Sequence, residues 1–270
     1  MRIGLALIAV AAVAVGAVAL ARSPDRIDGE AGVALRRYEL RSRFVDKTLP
    51  QVAALPPGGG KGRPLLVFLH GRGENGQESN ANSAFLRALA AQGDRAPVVV
   101  FPSGDEASYW HRRRSGDWAR YVLDEVIPQA VKRFGADRTR IAIGGISMGG
   151  YGAYEIARQR PRPFCAVVGH SAANWLAAGD SAPGAFDDAE DFARHDVVRL
   201  AQERGQRPWR RAALWLDSGD RDPFLTADRA LASALGIRLR VSPGGHESAY
   251  WRRHYEDYLR FYARALARCR

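Results

Sequence analysis

Five short apolar runs punctuate the chain: "PLLVFLH" (64–70), "PVVVF" (97–101), "RIAIGG" (140–145), "FCAVVGH" (164–170) and "RAALWLDSG" (211–219). None alternates polar with apolar, so each reads as a strand buried on both faces. "IRLRVSP" (237–243) reads as a last strand. Apolar residues between these runs recur with helical spacing at 82–93, 118–135, 148–160, 225–236 and 250–267. Pro128 falls inside the second of these helices and predicts a kink or break there. Strand and helix alternate along most of the chain, which predicts an α/β fold with a mostly parallel central sheet and helices on both faces. Ahead of this core, 22–32 reads as a polar linker, and weak alternation over 33–55 as one or two leading strands. Residues 171–208 are polar and irregular, and read as an insertion or lid over the site rather than a second domain.

The first 21 residues follow a different pattern. Arg2 precedes an uncharged stretch from Ile3 to Ala21, with Ala-x-Ala at 17–19 and 19–21. This predicts a signal peptide, or an anchor just long enough to span a bilayer. The expected location is therefore secreted, or tethered outside the cytoplasm. The organisation expected is a leader at 1–21, a linker with leading strands at 22–62, and one catalytic domain at 63–270. A net charge of +11 would suit an anionic envelope surface. The basic residues are scattered, and no motif points to nucleic acid. Cys165 lies in an apolar run and Cys269 is next to last, so both are expected free. No Cys-x-x-Cys or His/Cys spacing suggests a metal.

The chemistry concentrates where one strand meets one helix. Gly145-Ile146-Ser147-Met148-Gly149 is a G-x-S-x-G at that junction. A serine there sits on a sharp turn, its hydroxyl clear of the sheet and near the unpaired N–H groups of a helix start. The bland alternative is a serine N-cap. A serine nucleophile needs a base, and the base an acid, following in the order Ser, acid, His. His246, in a glycine-flanked loop between the last strand and the last helix, is the expected base. His170 precedes the acid, His195 lies in the insertion and His254 within a helix. Asp217, Asp220 and Asp222 compete as the acid. Asp217 is still in its strand, and Asp222, in a turn before Pro223, is the better placed. The backbone N–H groups of Met148 and Arg72 are expected to form an oxyanion hole, with His70 a structural hydrogen-bonder in the same loop. Trp110, His111, Trp175 and Trp251 are candidate substrate contacts, with core packing as the alternative.

Together "LLVFLHGRGENG", "SYWHRRRSGDWARYVLDEVIP", "IAIGGISMGGYGAYEIA", "LDSGDRDPF" and "GGHESAYWRRHYEDYLRFYARAL" cover about 62–270. Over this span the chain resembles the esterase family of feruloyl and acetylxylan esterases, esterase D types and antigen 85 type mycolyltransferases. The resemblance implies an α/β-hydrolase fold with Ser147 as nucleophile, Asp222 as acid, His246 as base, and no cofactor or metal. It leaves the substrate open: a small-molecule, glycan or lipid ester. The leading expectation is a serine carboxylesterase. An acyltransferase onto envelope sugars or lipids would use the same triad, and a non-catalytic binding relative would usually have lost a triad member.

Overall fold

The computed structural model describes residues 26–73, 76–160 and 164–269. The apolar leader read at 1–21 lies outside them. Strands β1 (Arg26–Asp28), β2 (Ala34–Ser42) and β3 (Lys47–Leu55) come first, followed by β4 (Leu65–Leu69). Next are α1 (Gly76–Asn80), α2 (Ser83–Ala90), β5 (Val98–Pro102) and a two-residue ribbon of β6 (Arg112–Arg113) and β7 (Gly116–Asp117). Then come α3 (Trp118–Tyr121), α4 (Ile127–Phe134), β8 (Ile141–Ile146), α5 (Met148–Gln159) and β9 (Phe164–His170). The chain ends with α6 (Ala189–His195), α7 (Val197–Arg204), β10 (Ala213–Gly219), α8 (Leu225–Ala234), β11 (Leu239–Ser242) and α9 (Ser248–Arg268).

One sheet runs in the order β1-β2-β3-β5-β4-β8-β9-β10-β11. The leading strands pair antiparallel as far as β3–β5, and every pair from β5 through β11 is parallel. The strand alternation separates two apolar layers. Leu65, Val67 and Leu69 of β4 face the layer that includes α3, α4, α5, α7 and α8, while Leu66 and Phe68 face α2 and α9. Burial on both faces explains why these strands read as continuous apolar runs. The chain leaves β4 for β5 on one side and returns to β8 on the other. The carboxyl ends of β4 and β8 therefore flank the point where strand order reverses, and this is where α/β sheets open a crevice.

Two local features differ from the sequence expectation and one refines it. The regular helix is interrupted ahead of Pro128, which lies in the first turn of α4, but the chain does not stop. It passes through a π turn at Val122–Val126, where the Ile127 N–H reaches the Val122 carbonyl five residues back. Proline has no N–H to continue the ordinary ladder, and the wider turn absorbs that loss. Within 171–208 the chain is partly helical. The Asp188 and Asp196 carboxylates cap α6 and α7 by accepting from the Asp191 and Arg199 N–H groups at 2.8 and 2.9 Å. Third, Cys165 and Cys269 are not free but form a disulfide, with their Cα atoms 5.5 Å apart. Helix α9 starts by the carboxyl ends of the strands and runs 21 residues, roughly 30 Å, back along the sheet. That length returns Cys269 to the opposite end of β9, where Cys165 faces the α9 layer.

Candidate active site

Ser147 lies between the last residue of β8 and the first of α5, with φ 56° and ψ −118°. That conformation is strained for a residue with a Cβ. It is held on both sides: the Ser147 N–H donates to the His170 carbonyl at 2.9 Å, and its own carbonyl accepts from Tyr151 and Ala173 at 3.1 and 3.0 Å. The turn closes only because Gly149 has no side chain. A Cβ there would lie 2.2 Å from the Leu69 carbonyl oxygen of the neighbouring strand. The serine hydroxyl is thereby lifted above the β4–β8 crevice.

His246 reaches it from the loop after β11. Its Nε2 lies 2.8 Å from Ser147 Oγ, and its Nδ1 lies 3.0 Å from Asp222 Oδ2. An ionised carboxylate can only accept, so Nδ1 carries the proton and Nε2 is the bare nitrogen facing the serine hydroxyl. The Asp222 side chain is fully buried. Burial works to raise its carboxyl. The hydrogen bond and charge of His246, the Phe224 N–H at 2.9 Å and the Ser171 hydroxyl outweigh that, and hold it below the usual carboxylate range.

The two competing aspartates sit elsewhere. Asp220 is half exposed and pins the His246 loop by accepting from the Gly244 N–H at 3.0 Å. Asp217 is buried below the site, where it accepts from the rings of His170 and Trp215 and from Tyr258.

Sequence reasoning missed Ser171. It follows β9 with φ 47°, is wholly buried, and accepts from the Trp251 indole N–H at 3.1 Å while its hydroxyl bonds Asp222. Trp251 in turn stands edge-on to His246, ring centroids 5.2 Å apart, and Phe224 does the same from another side at 5.0 Å. The imidazole is thus boxed in by two aromatic rings and a carboxylate. Only the positive φ marks Ser171, and no sequence pattern announces that for a serine.

The loop after β4 completes the site. Gly71 lies against Ser147, close enough that a Cβ would come within 3.2 Å of the serine Cβ. His70 holds this loop: Nδ1–H donates to the Gly71 carbonyl at 2.6 Å, and Nε2 accepts from the Gly104 N–H at 2.8 Å. Burial pushes the proton affinity of His70 down to a pKa of about 4, so the ring stays neutral and its hydrogen bonds persist.

A groove of about 640 Å³ passes over Ser147 and His246, with Arg72, Tyr109, Trp251 and Arg252 in its walls. Trp175 stands behind the wall, packed on Tyr109 and Phe224. Trp110 and His111, considered above as substrate contacts, are wholly buried and do not line the groove. The indole of Trp110 fills space left by Gly104 and Gly152, where a Cβ would lie 2.4 and 2.5 Å from it, and donates to the His70 carbonyl at 3.3 Å. Its part is to support the loop from below.

A mostly parallel sheet, a serine on a strained strand-to-helix turn and a histidine between that serine and a buried aspartate define an α/β-hydrolase. The Esterase family model matches residues 45–261, and the chain belongs to that family. It is 26% identical over 267 residues to the S-formylglutathione hydrolase of Paracoccus denitrificans, an alignment covering 85% of this chain and 92% of the relative. Among solved structures, a ferulic acid esterase superposes with a TM-score of 0.75 at 23% identity, covering 86% of this chain and 98% of that one. An S-formylglutathione hydrolase from Agrobacterium tumefaciens superposes at 0.72 with 18% identity, covering 89% and 98%.

Proposed function

We propose that this chain is an extracytoplasmic serine carboxylesterase that works through an acyl-enzyme on Ser147. The observation that carries the reading is the relay of two contacts, 2.8 Å from Ser147 Oγ to His246 Nε2 and 3.0 Å from His246 Nδ1 to Asp222. Ser147 Oγ attacks the ester carbonyl while its proton passes to Nε2. The imidazolium so formed is stabilised by Asp222 and returns the proton to the leaving alcohol. Water, activated by the same nitrogen, then releases the acid. The developing oxyanion falls to the N–H of Met148, which opens α5 and has no partner within the helix, and to the N–H of Arg72 beside Gly71.

The groove carries Arg72 and Arg252 and no acidic side chain among its described lining residues. That favours ester or thioester substrates bearing a carboxylate near the scissile bond. The leader pattern at 1–21 supports export, and so does the Cys165–Cys269 disulfide, a bond that persists in oxidising compartments.

The test is hydrolysis of p-nitrophenyl, feruloyl and carboxylate-bearing esters and S-acyl thioesters by the wild type and Ser147→Ala, with glycerol and trehalose added to capture acyl transfer. Turnover by the wild type, lost in the folded variant, with the free acid as product, is the expected result. Near-normal turnover in Ser147→Ala overturns the mechanism, and an acylated sugar or glycerol as main product assigns the site to transfer.

A further inference from the structure

We propose that His111, Asp191 and His195 form a binding site for one divalent transition-metal ion of the zinc class, which ties the 171–208 insertion to the body of the fold. The three side chains lie outside the esterase groove and are almost wholly buried. Each offers one ligand atom, and these atoms all lie within 4.8 Å of one another.

The hydrogen bonding leaves bare lone pairs facing each other. His195 Nδ1 lies 2.7 Å from Glu155 Oε1. It donates there, so in the neutral ring Nε2 is bare and points at Asp191 Oδ1 across 3.6 Å. His111 Nε2 lies 3.1 Å from the Ala185 carbonyl, which also can only accept. The Arg112 carbonyl faces Nδ1 at 3.0 Å and makes the same demand, so the metal-binding form is the tautomer that donates to Ala185 and leaves Nδ1 bare, 3.9 Å from Asp191 Oδ2. Acceptors thus converge from four groups. The donors reaching Asp191 come from outside this cluster: the Asp187 N–H at 2.9 Å and the Arg194 guanidinium at 3.4 Å.

A cation resolves such an arrangement. Tetrahedral zinc holds nitrogen and oxygen at about 2.0–2.2 Å, which spaces its ligands about 3.4 Å apart. The imidazoles stand 3.6 and 3.9 Å from different oxygens of Asp191, and all three ligand atoms lie within 4.8 Å of one another, so side-chain movements of about 1 Å bring them to that spacing. Two imidazoles and a carboxylate are a donor set zinc favours. Glu155 behind His195, itself held by Arg158 at 2.8 Å, is the carboxylate that fixes a ligating imidazole. A cavity of about 590 Å³ opens onto Asp191 and His195 and gives the ion access, with room for a solvent molecule as fourth ligand. Of the four arginines around it, Arg113 pairs with Asp187, Arg114 with Asp188, and Arg194 with Glu190 and Asp191 itself, which leaves the Arg112 guanidinium as the charge an incoming ion must pass.

The ligands come from two parts of the chain. His111 follows β5, whereas Asp191 and His195 sit one turn apart on α6 of the insertion. The insertion also carries Trp175 and Ala182 beside the groove, so the ion would hold that wall in place without touching the reacting groups.

The test uses the whole chain, stripped by chelator and titrated with zinc by calorimetry. One ion per chain with Kd below about 1 µM is expected, with affinity reduced about 100-fold or more in Asp191→Asn and His195→Gln. Ester hydrolysis at saturating substrate should stay within about twofold in stripped protein and in both variants, while zinc raises the wild-type Tm. Because either variant can lose its fold, cobalt(II) substitution in the wild type provides a second reading: the intense visible bands of a tetrahedral ion, displaced by zinc. No saturable binding, equal affinity in folded variants, or only the faint spectrum of octahedral cobalt would overturn the proposal.

Discussion

Replacing Asp222 with Asn preserves the shape of the side chain and inverts its chemistry. In the wild type, Oδ2 accepts from His246 Nδ1 at 3.0 Å, while Oδ1 accepts from the Phe224 N–H at 2.9 Å and the Ser171 hydroxyl also bonds the carboxylate. Asparagine has one oxygen, and the Phe224 N–H, which already bonds Oδ1, claims it, because leaving such a donor unsatisfied costs about 1–3 kcal/mol. The amide NH2 then faces Nδ1, which must accept, and the ring proton moves to Nε2. A protonated Nε2 has no lone pair for the Ser147 proton. Loss of the tautomer and of the charge that stabilises the imidazolium lowers turnover about 10³–10⁴-fold, or about 4–5.5 kcal/mol of barrier. The assay is kcat on p-nitrophenyl acetate for Asp222→Asn beside Asp220→Asn, with circular dichroism to confirm folding. Asp220 only pins the Gly244 N–H, so its variant should stay within about tenfold of wild type. A folded Asp222→Asn enzyme within tenfold of wild type, or the reverse ranking, would refute the reasoning.

Ser171→Ala removes one donor to Asp222, so its carboxyl pKa should rise and kcat should fall by about tenfold, with Ser171→Thr recovering part of the loss; an unchanged pH–rate profile in Ser171→Ala would remove this role. His70 titrates near 4 in the folded chain against 6.5 as its ordinary value, so the unfolded chain binds the proton first. Stability is therefore full above pH 6.5 and falls as pH drops toward 4, by up to about 3 kcal/mol from this group. His70→Gln, which keeps an acceptor for the Gly104 N–H, should lose less Tm between pH 7 and 4.5 than the wild type, and an equal loss would exclude His70 as the cause. Breaking the disulfide by Cys269→Ser removes a cross-link spanning 104 residues, which should cost about 2–4 kcal/mol and lower Tm with little change in kcat; an unaltered Tm contradicts that.

The parallel core was legible because burial on both faces writes itself as unbroken apolar runs, and the order serine, aspartate, histidine follows from where the strands end. Asp222 was separable from Asp217 because a strand residue two positions before a glycine is still inside the sheet. Residues whose position depends on distant partners were not legible. Cys165 and Cys269 meet only because α9 has the length to return across the sheet. Trp110 reads as a rim residue, yet it is drawn inward by space at Gly104 and Gly152, glycines 48 positions apart, one in the loop after β5 and one on α5. Ser171 owes its role to a backbone angle that no side-chain pattern encodes.

The most direct test of the central claim is a rapid-mixing experiment with p-nitrophenyl acetate, followed by quenching and peptide mass analysis. If Ser147 forms the acyl-enzyme, p-nitrophenol appears in a burst approaching one equivalent per chain when deacylation is the slower step, and the quenched protein carries one acetyl group on the Ser147 peptide. Acid quenching early in the Asp222→Asn reaction should show the same adduct forming far more slowly. Steady turnover with no acetyl group trapped on Ser147, or an adduct on another residue that Ser147→Ala also forms, would contradict the account.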